Sequence, residues 1–188
     1  EIEVKTGNYD VAIGRHFCPT KSRNHTRPSL VVHIMIDALS KSALELLDSD
    51  VIPNITHYFA TKGITFSNAF AQSEWTLSSM AGVFTGCYTN EHLVYHPRRN
   101  DTICHDTIAD ILSREGFFTF GCVNVPKMSP ANGFDKGFNR FIYADTKDAD
   151  FVINQAMDQM ESFESPKYIF MGIFDIHEAH KLQPMSVQ

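Results

Sequence analysis

Thr76 stands near the start of the stretch Gln72-Ser73-Glu74-Trp75-Thr76-Leu77-Ser78-Ser79-Met80-Ala81, whose second half has helical patterning. A hydroxyl in the first turn of a helix meets free backbone N–H groups and the positive end of the helix dipole, which together favour an anion. The same field eases formation of an alkoxide, and a divalent metal eases it far more. Thr76 is therefore placed to attack a tetrahedral oxyanion ester. The simpler use of Thr76, or of Ser73, is to cap the helix. Two aspartates also invite a chemical reading. Asp37 closes the apolar run Leu30-Val31-Val32-His33-Ile34-Met35-Ile36, and Asp175 closes the apolar run 168–174. Any strand must end in something polar, so one such aspartate says little; two at the ends of like strands point to a shared site.

The elements that would carry these residues follow from the pattern. Continuous apolar runs at 30–36 and 168–174 mark strands buried on both faces of a parallel sheet, and 117–123 reads as a third. Helical stretches are expected at 41–47 after the capping Ser40, at 54–62 between Pro53 and Gly63, at 76–84, at 107–114 before Gly116, and at 149–163. Ile64-Thr65-Phe66 begins a short extended piece. Strands alternating with helices imply an α/β layered fold with a mostly parallel sheet, and such sheets bind ligands beyond the carboxyl ends of their strands. Residues 1–29, polar and holding a basic cluster at Lys21, Arg23 and Arg27, read as a linker or surface arm, with the domain spanning 30–188.

Composition narrows the class. The 188 residues suit one domain or most of one, and a 43% hydrophobic chain with 20% charged residues is neither disordered nor fibrous. Fifteen phenylalanines point to a well-filled core. A formal charge of −6 argues against a broad nucleic-acid-binding surface. Cys18, Cys87, Cys104 and Cys122 are scattered without a C-x-x-C pair, which argues against a zinc ribbon or finger and leaves disulfides open. Sequons at Asn24, Asn54 and Asn100 matter in a secretory eukaryotic setting. No apolar run approaches the ~20 residues of a membrane span, so anchoring is expected only through a segment outside this chain, which opens on Glu1 rather than Met.

The chain resembles the sulfatase-like branch of the alkaline phosphatase superfamily. The resemblance rests on an ordered set: Ile36-Asp37-Ala38-Leu39, Pro53-Asn54-Ile55, Lys62-Gly63-Ile64-Thr65-Phe66, Asn68-Ala69-Phe70-Ala71, Thr76-Leu77-Ser78-Ser79, Thr85-Gly86, Glu91-His92-Leu93-Val94, Gly133-Phe134-Asp135-Lys136-Gly137-Phe138 and Phe174-Asp175-Ile176-His177. It implies a three-layer α/β/α sandwich, with Thr76 as nucleophile, Asp37 and Thr76 as ligands of a divalent metal (Zn, Mn, Mg or Ca), and His177 as a substrate-binding residue. It also implies a small-molecule, lipid or glycan ester substrate and an extracytoplasmic or secreted setting. Zinc takes about four ligands and magnesium about six, so Asp37 and Thr76 are two of a larger set. The family completes its site with a later Asp-His or Asp-Asn pair, which does not occur before Gln188.

Departures from the pattern bear on the chemistry. Formylglycine sulfatases carry Cys or Ser at the Thr76 position, Pro at Ser78 and Arg at Met80, and threonine cannot yield the formylglycine aldehyde. Ala38 replaces the second aspartate of a pair, and the family's lysine falls near Asn124, with Lys127 not assigned in its place. The resemblance thus leans towards members that pass phosphorus through a threonine: a metal-dependent hydrolase or transferase of phosphate esters. Sulfuric-ester hydrolysis is the alternative, and a non-catalytic relative serving as a binding or scaffold domain is another. Among the histidines, His33 reads as a satisfied core residue and His92 as a brace for its loop. His180 reads as a neighbour of His177, while His96 and His105 have no partner that the sequence names.

Overall fold

The computed structural model describes residues 30–46, 52–96 and 101–179. The arm at 1–29, Leu47 and His180 lie outside the described residues. Strand β1 (Leu30–Ile36) is followed by helices α1 (Lys41–Leu46), α2 (Pro53–Lys62), α3 (Thr76–Thr85), α4 (Thr89–His92) and α5 (Ile108–Arg114). Then come β2 (Phe118–Val123), a 3-10 turn (Pro130–Asn132), β3 (Arg140–Tyr143), α6 (Ala149–Glu161), β4 (Lys167–Ile173) and α7 (Asp175–Ala179). The four strands form one parallel sheet in the order β1-β4-β2-β3. This is the α/β architecture that the apolar runs imply.

Helices cover both faces of β4 and β2, whereas β1, expected to be buried on both faces, is an edge strand that leaves Leu30, Val32 and Ile34 exposed on one of them. On one face Leu77, Met80, Ala81 and Phe84 of α3 pack with Val123, Tyr168 and Phe170. Phe84 meets Phe170 edge-on at 4.9 Å and Phe134 at 5.7 Å, the arrangement that aromatic quadrupoles favour. On the other face Val152 and Ala156 of α6 seal Phe118, Phe120, Cys122, Ile169 and Met171. Seven of the phenylalanines are thereby buried: Phe84, Phe117, Phe118, Phe120, Phe134, Phe138 and Phe170.

The Gly-Phe-Asp-Lys-Gly-Phe segment has a structural task. Phe134 and Phe138 enter the core, and Gly137 turns with φ +83° against the backbone of Ala109 and Asp110, where no Cβ would fit. α5 opens there on a capping box in which the Thr107 hydroxyl and the Asp110 carboxylate each accept from the other's backbone N–H, and the Thr107 hydroxyl also donates to the Lys136 carbonyl at 3.1 Å.

Several boundaries differ from the expectation. β4 begins one residue early, at Lys167, because its buried ammonium is held by the carbonyls of Met160 (2.8 Å) and Phe163 at the end of α6. α6 correspondingly ends at Glu161 rather than 163. The piece at 64–66 joins no strand. β3, α4 and α7 are elements that the sequence pattern did not suggest. α7 has five residues and α4 four, too short to show a helical period.

Candidate active site

The end of β1 is fixed first. The Asp37 N–H donates to the Ile173 carbonyl at 2.8 Å, so Asp37 stands where β1 and β4 end together. Ala38 then turns the chain sharply with φ 61°, a left-handed conformation uncommon for alanine, and its N–H donates to Asp37 Oδ1 at 3.0 Å. The carboxylate is thus held at the carboxyl edge of the sheet, where α/β folds place their ligands.

α3 delivers the second residue. Trp75 is its N-cap by backbone conformation, and no side chain caps the first turn. Ser73 Oγ accepts instead from the Trp75 N–H at 3.2 Å, before the helix begins. The capping alternative for Thr76 and Ser73 therefore does not describe this turn. Thr76 directs its hydroxyl across to β1, where Oγ1 donates to the Asp37 carboxylate at 3.2 Å from Oδ2 and 3.3 Å from Oδ1. Both residues are partly buried. A hydroxyl, a carboxylate and the uncapped positive end of a helix converge at the end of the sheet.

The two aspartates that resemble each other in sequence do different work. Asp175 Oδ2 accepts from Asn124 Nδ2 at 2.8 Å, and its Oδ1 accepts from the Ala149 N–H at the start of α6 at 2.9 Å. Asn124 also donates to the Lys147 carbonyl at 2.9 Å and accepts from the Phe174 N–H at 2.8 Å. Its amide is fully engaged in tying the ends of β2 and β4 to the entry of α6. The shared site expected of Asp37 and Asp175 is therefore not formed by direct contact: the Asp175 carboxylate turns to Asn124 and Ala149.

His177 lies in α7, exposed, with its ring stacked on Phe174 at 4.4 Å and 18°. It is placed beyond the end of β4, yet its ring packs on Phe174 rather than on Thr76 or Asp37. His33 is the core residue expected: Nδ1 lies 3.1 Å from the Tyr168 hydroxyl, the ring meets Phe170 edge-on at 5.0 Å, and burial lowers its pKa. His92 is buried behind α3 and accepts the Val94 N–H on Nδ1 at 3.0 Å, bracing its own loop. Burial first, and then the charge of His105, lowers its pKa. His96, which the sequence left without a partner, stacks on Trp75.

Among protein families, the sulfatase family model matches residues 29–169. The chain belongs to the sulfatase family. At family level this supports a function like that of sulfuric-ester hydrolases, and the family generally uses a divalent metal. Comparison with curated proteins and with solved structures found no match. Ser78 and Met80, at the positions where formylglycine sulfatases carry Pro and Arg, are 3% and 6% exposed. Both face the core, so Met80 brings neither charge nor polarity to Thr76. As for a metal, Asp37 and Thr76 can each offer it oxygen. Among the described residues no group of three or more His, Cys, Asp or Glu side chains gathers there to complete the set.

Proposed function

We propose that this chain carries the nucleophile-bearing part of an ester hydrolase or transferase of the sulfatase family, with Thr76 as the attacking group. The hydrogen bond from Thr76 Oγ1 to the Asp37 carboxylate, at the uncapped start of α3, is the observation that carries this reading. Asp37 fixes the hydroxyl's direction and can accept its proton. The Oγ1 lone pair then attacks the tetrahedral sulfur or phosphorus, the bond to the ester oxygen breaks, and that oxygen leaves with its electron pair and takes a proton from water. Attack by water, or by an acceptor alcohol, releases the group from Thr76. The helix N-terminus favours the anionic ester oxygens throughout.

A divalent ion would neutralise charge on the ester and on the threonine oxygen, and Asp37 and Thr76 are the residues proposed to touch it. His177 is proposed to hold substrate oxygens from the β4 side. The absence of an aldehyde-forming residue favours phosphate over sulfate as the group transferred. Turnover of matched phosphate and sulfate esters, with and without Zn²⁺ or Mn²⁺, tests these assignments. Thr76→Ala is expected to abolish turnover and Thr76→Ser to retain part of it; full turnover by Thr76→Ala sinks the reading. A scaffold role has one observation in its favour, the gathering of only Asp37 and Thr76 as donors among the described residues. It predicts no turnover of either ester class and no metal-dependent rise in melting temperature.

A further inference from the structure

Trp75 is the single tryptophan of the chain and directly precedes Thr76. Its neighbours along α3 (Leu77, Ser78, Met80 and Ala81) are buried, whereas Trp75 is 43% exposed. Leaving so large an apolar ring in water is unfavourable at about 25 cal/mol for each Å². The backbone of Trp75 serves the fold, since its carbonyl accepts from the Ser79 N–H at 2.9 Å. The side chain belongs to neither cluster of the core.

The ring is nevertheless held in place. His96 stacks on it at 5.5 Å and 15°. The loop that carries His96 is pinned in turn by Asp101, whose Oδ2 accepts from the N–H groups of Tyr95 (2.8 Å) and His96 (3.1 Å). An indole held flat by a second ring, on the residue that precedes the attacking threonine and still partly open, is a preorganised surface for a planar group.

Resting on the reading of Thr76 as nucleophile, we propose that Trp75, positioned by His96, is the specificity-determining wall for the organic part of the ester. It receives an alcohol with a flat ring by stacking and discriminates against a short alkyl alcohol. Stacking of this kind corresponds to roughly a threefold to tenfold preference.

The lone tryptophan reports on its own site. Thr76→Ala protein, which cannot turn the ester over, is titrated with phenyl sulfate and phenyl phosphate, and with the methyl esters, in buffer containing Mn²⁺, while indole emission is followed. The phenyl esters are expected to change the emission saturably and to bind threefold to tenfold more tightly than the methyl esters. His96→Ala in the same background should loosen the wall and lose most of that preference. Trp75→Leu, followed by calorimetry, should weaken the phenyl esters and leave the methyl esters unchanged. Equal affinity for the two ester classes, no binding of either, or a Trp75→Leu effect common to both overturns the proposal. Because these readouts need no turnover, they separate from the nucleophile assignment. Full activity of Thr76→Ala would sink that assignment and leave the stacking comparison to be judged by itself.

Discussion

Asn124→Leu, which keeps the branch of the side chain but none of its polar atoms, should cost about 3 kcal/mol of stability. Asn124 is 4% exposed and makes three hydrogen bonds at 2.8–2.9 Å, to the Lys147 carbonyl, the Phe174 N–H and the Asp175 carboxylate. Two are neutral, at about 1 kcal/mol each, and one reaches a carboxylate, at about 1.5–3 kcal/mol. Asp175 is only half-buried and keeps the Ala149 N–H, so the lower end applies to it. The sum is then near 3.5 kcal/mol, lowered somewhat as water reaches the exposed Lys147. Against a typical total of about 5–15 kcal/mol, the loss would be severe. For a domain of this size it corresponds to a melting temperature lower by about 6–12 °C. Urea unfolding followed by circular dichroism gives the midpoint, and an unchanged slope confirms that the native state, not the unfolded chain, was altered. A loss below about 1 kcal/mol would refute the argument that this amide joins β2, β4 and α6.

Three further outcomes follow from individual side chains. His33 has its pKa lowered by burial, so the unfolded chain takes up a proton at higher pH than the folded one. Its contribution is complete above the unfolded value near 6.5 and is lost as pH falls through that value, so His33→Gln should flatten the decline of the urea midpoint between pH 7.5 and 5.5; an unchanged slope would refute this. Burial pushes the Cys122 thiol up to about 12, whereas Cys104 is exposed. Native protein treated with iodoacetamide at pH 8 should therefore carry the label on Cys104 and not on Cys122 by peptide mass. Phe84→Ala removes the ring on which Phe170 and Phe134 both rest and should cost about 3–5 kcal/mol in the same unfolding assay.

What the sequence could disclose was set by how local the signal is. β4 was legible because burial on both faces leaves an uninterrupted apolar run, β1 because its run is equally apolar although one of its faces is exposed, and α6 because one apolar side repeats along thirteen residues. β3 has only four residues, opens on Arg140 and is fixed by pairing with β2, which no local pattern records. The proximity of Thr76 and Asp37 could be expected from the order of the motifs around them, and they lie within hydrogen-bonding distance. Asp37 and Asp175 look equivalent in sequence, since each ends an apolar run. Their different partners come from Asn124 and Ala149, residues far away in the chain. The Trp75–His96 stack was hidden for the same reason, as rings from a helix start and a distant loop share no period.

The strand order has a consequence for synthesis. β4 comes last among these four strands yet lies between β1 and β2, so they are joined through an interior strand. His33 and Tyr168, which meet across β1 and β4, are 135 positions apart. At about 5–20 residues per second, β1 waits roughly 7–27 s on the ribosome before that partner exists. Until then β1 and β2 each present an open edge and an apolar face to the cytosol or translocon, the state most prone to mispairing. A nascent chain ending before Lys167 should accordingly be held by chaperones, and release should follow the emergence of residues 167–173.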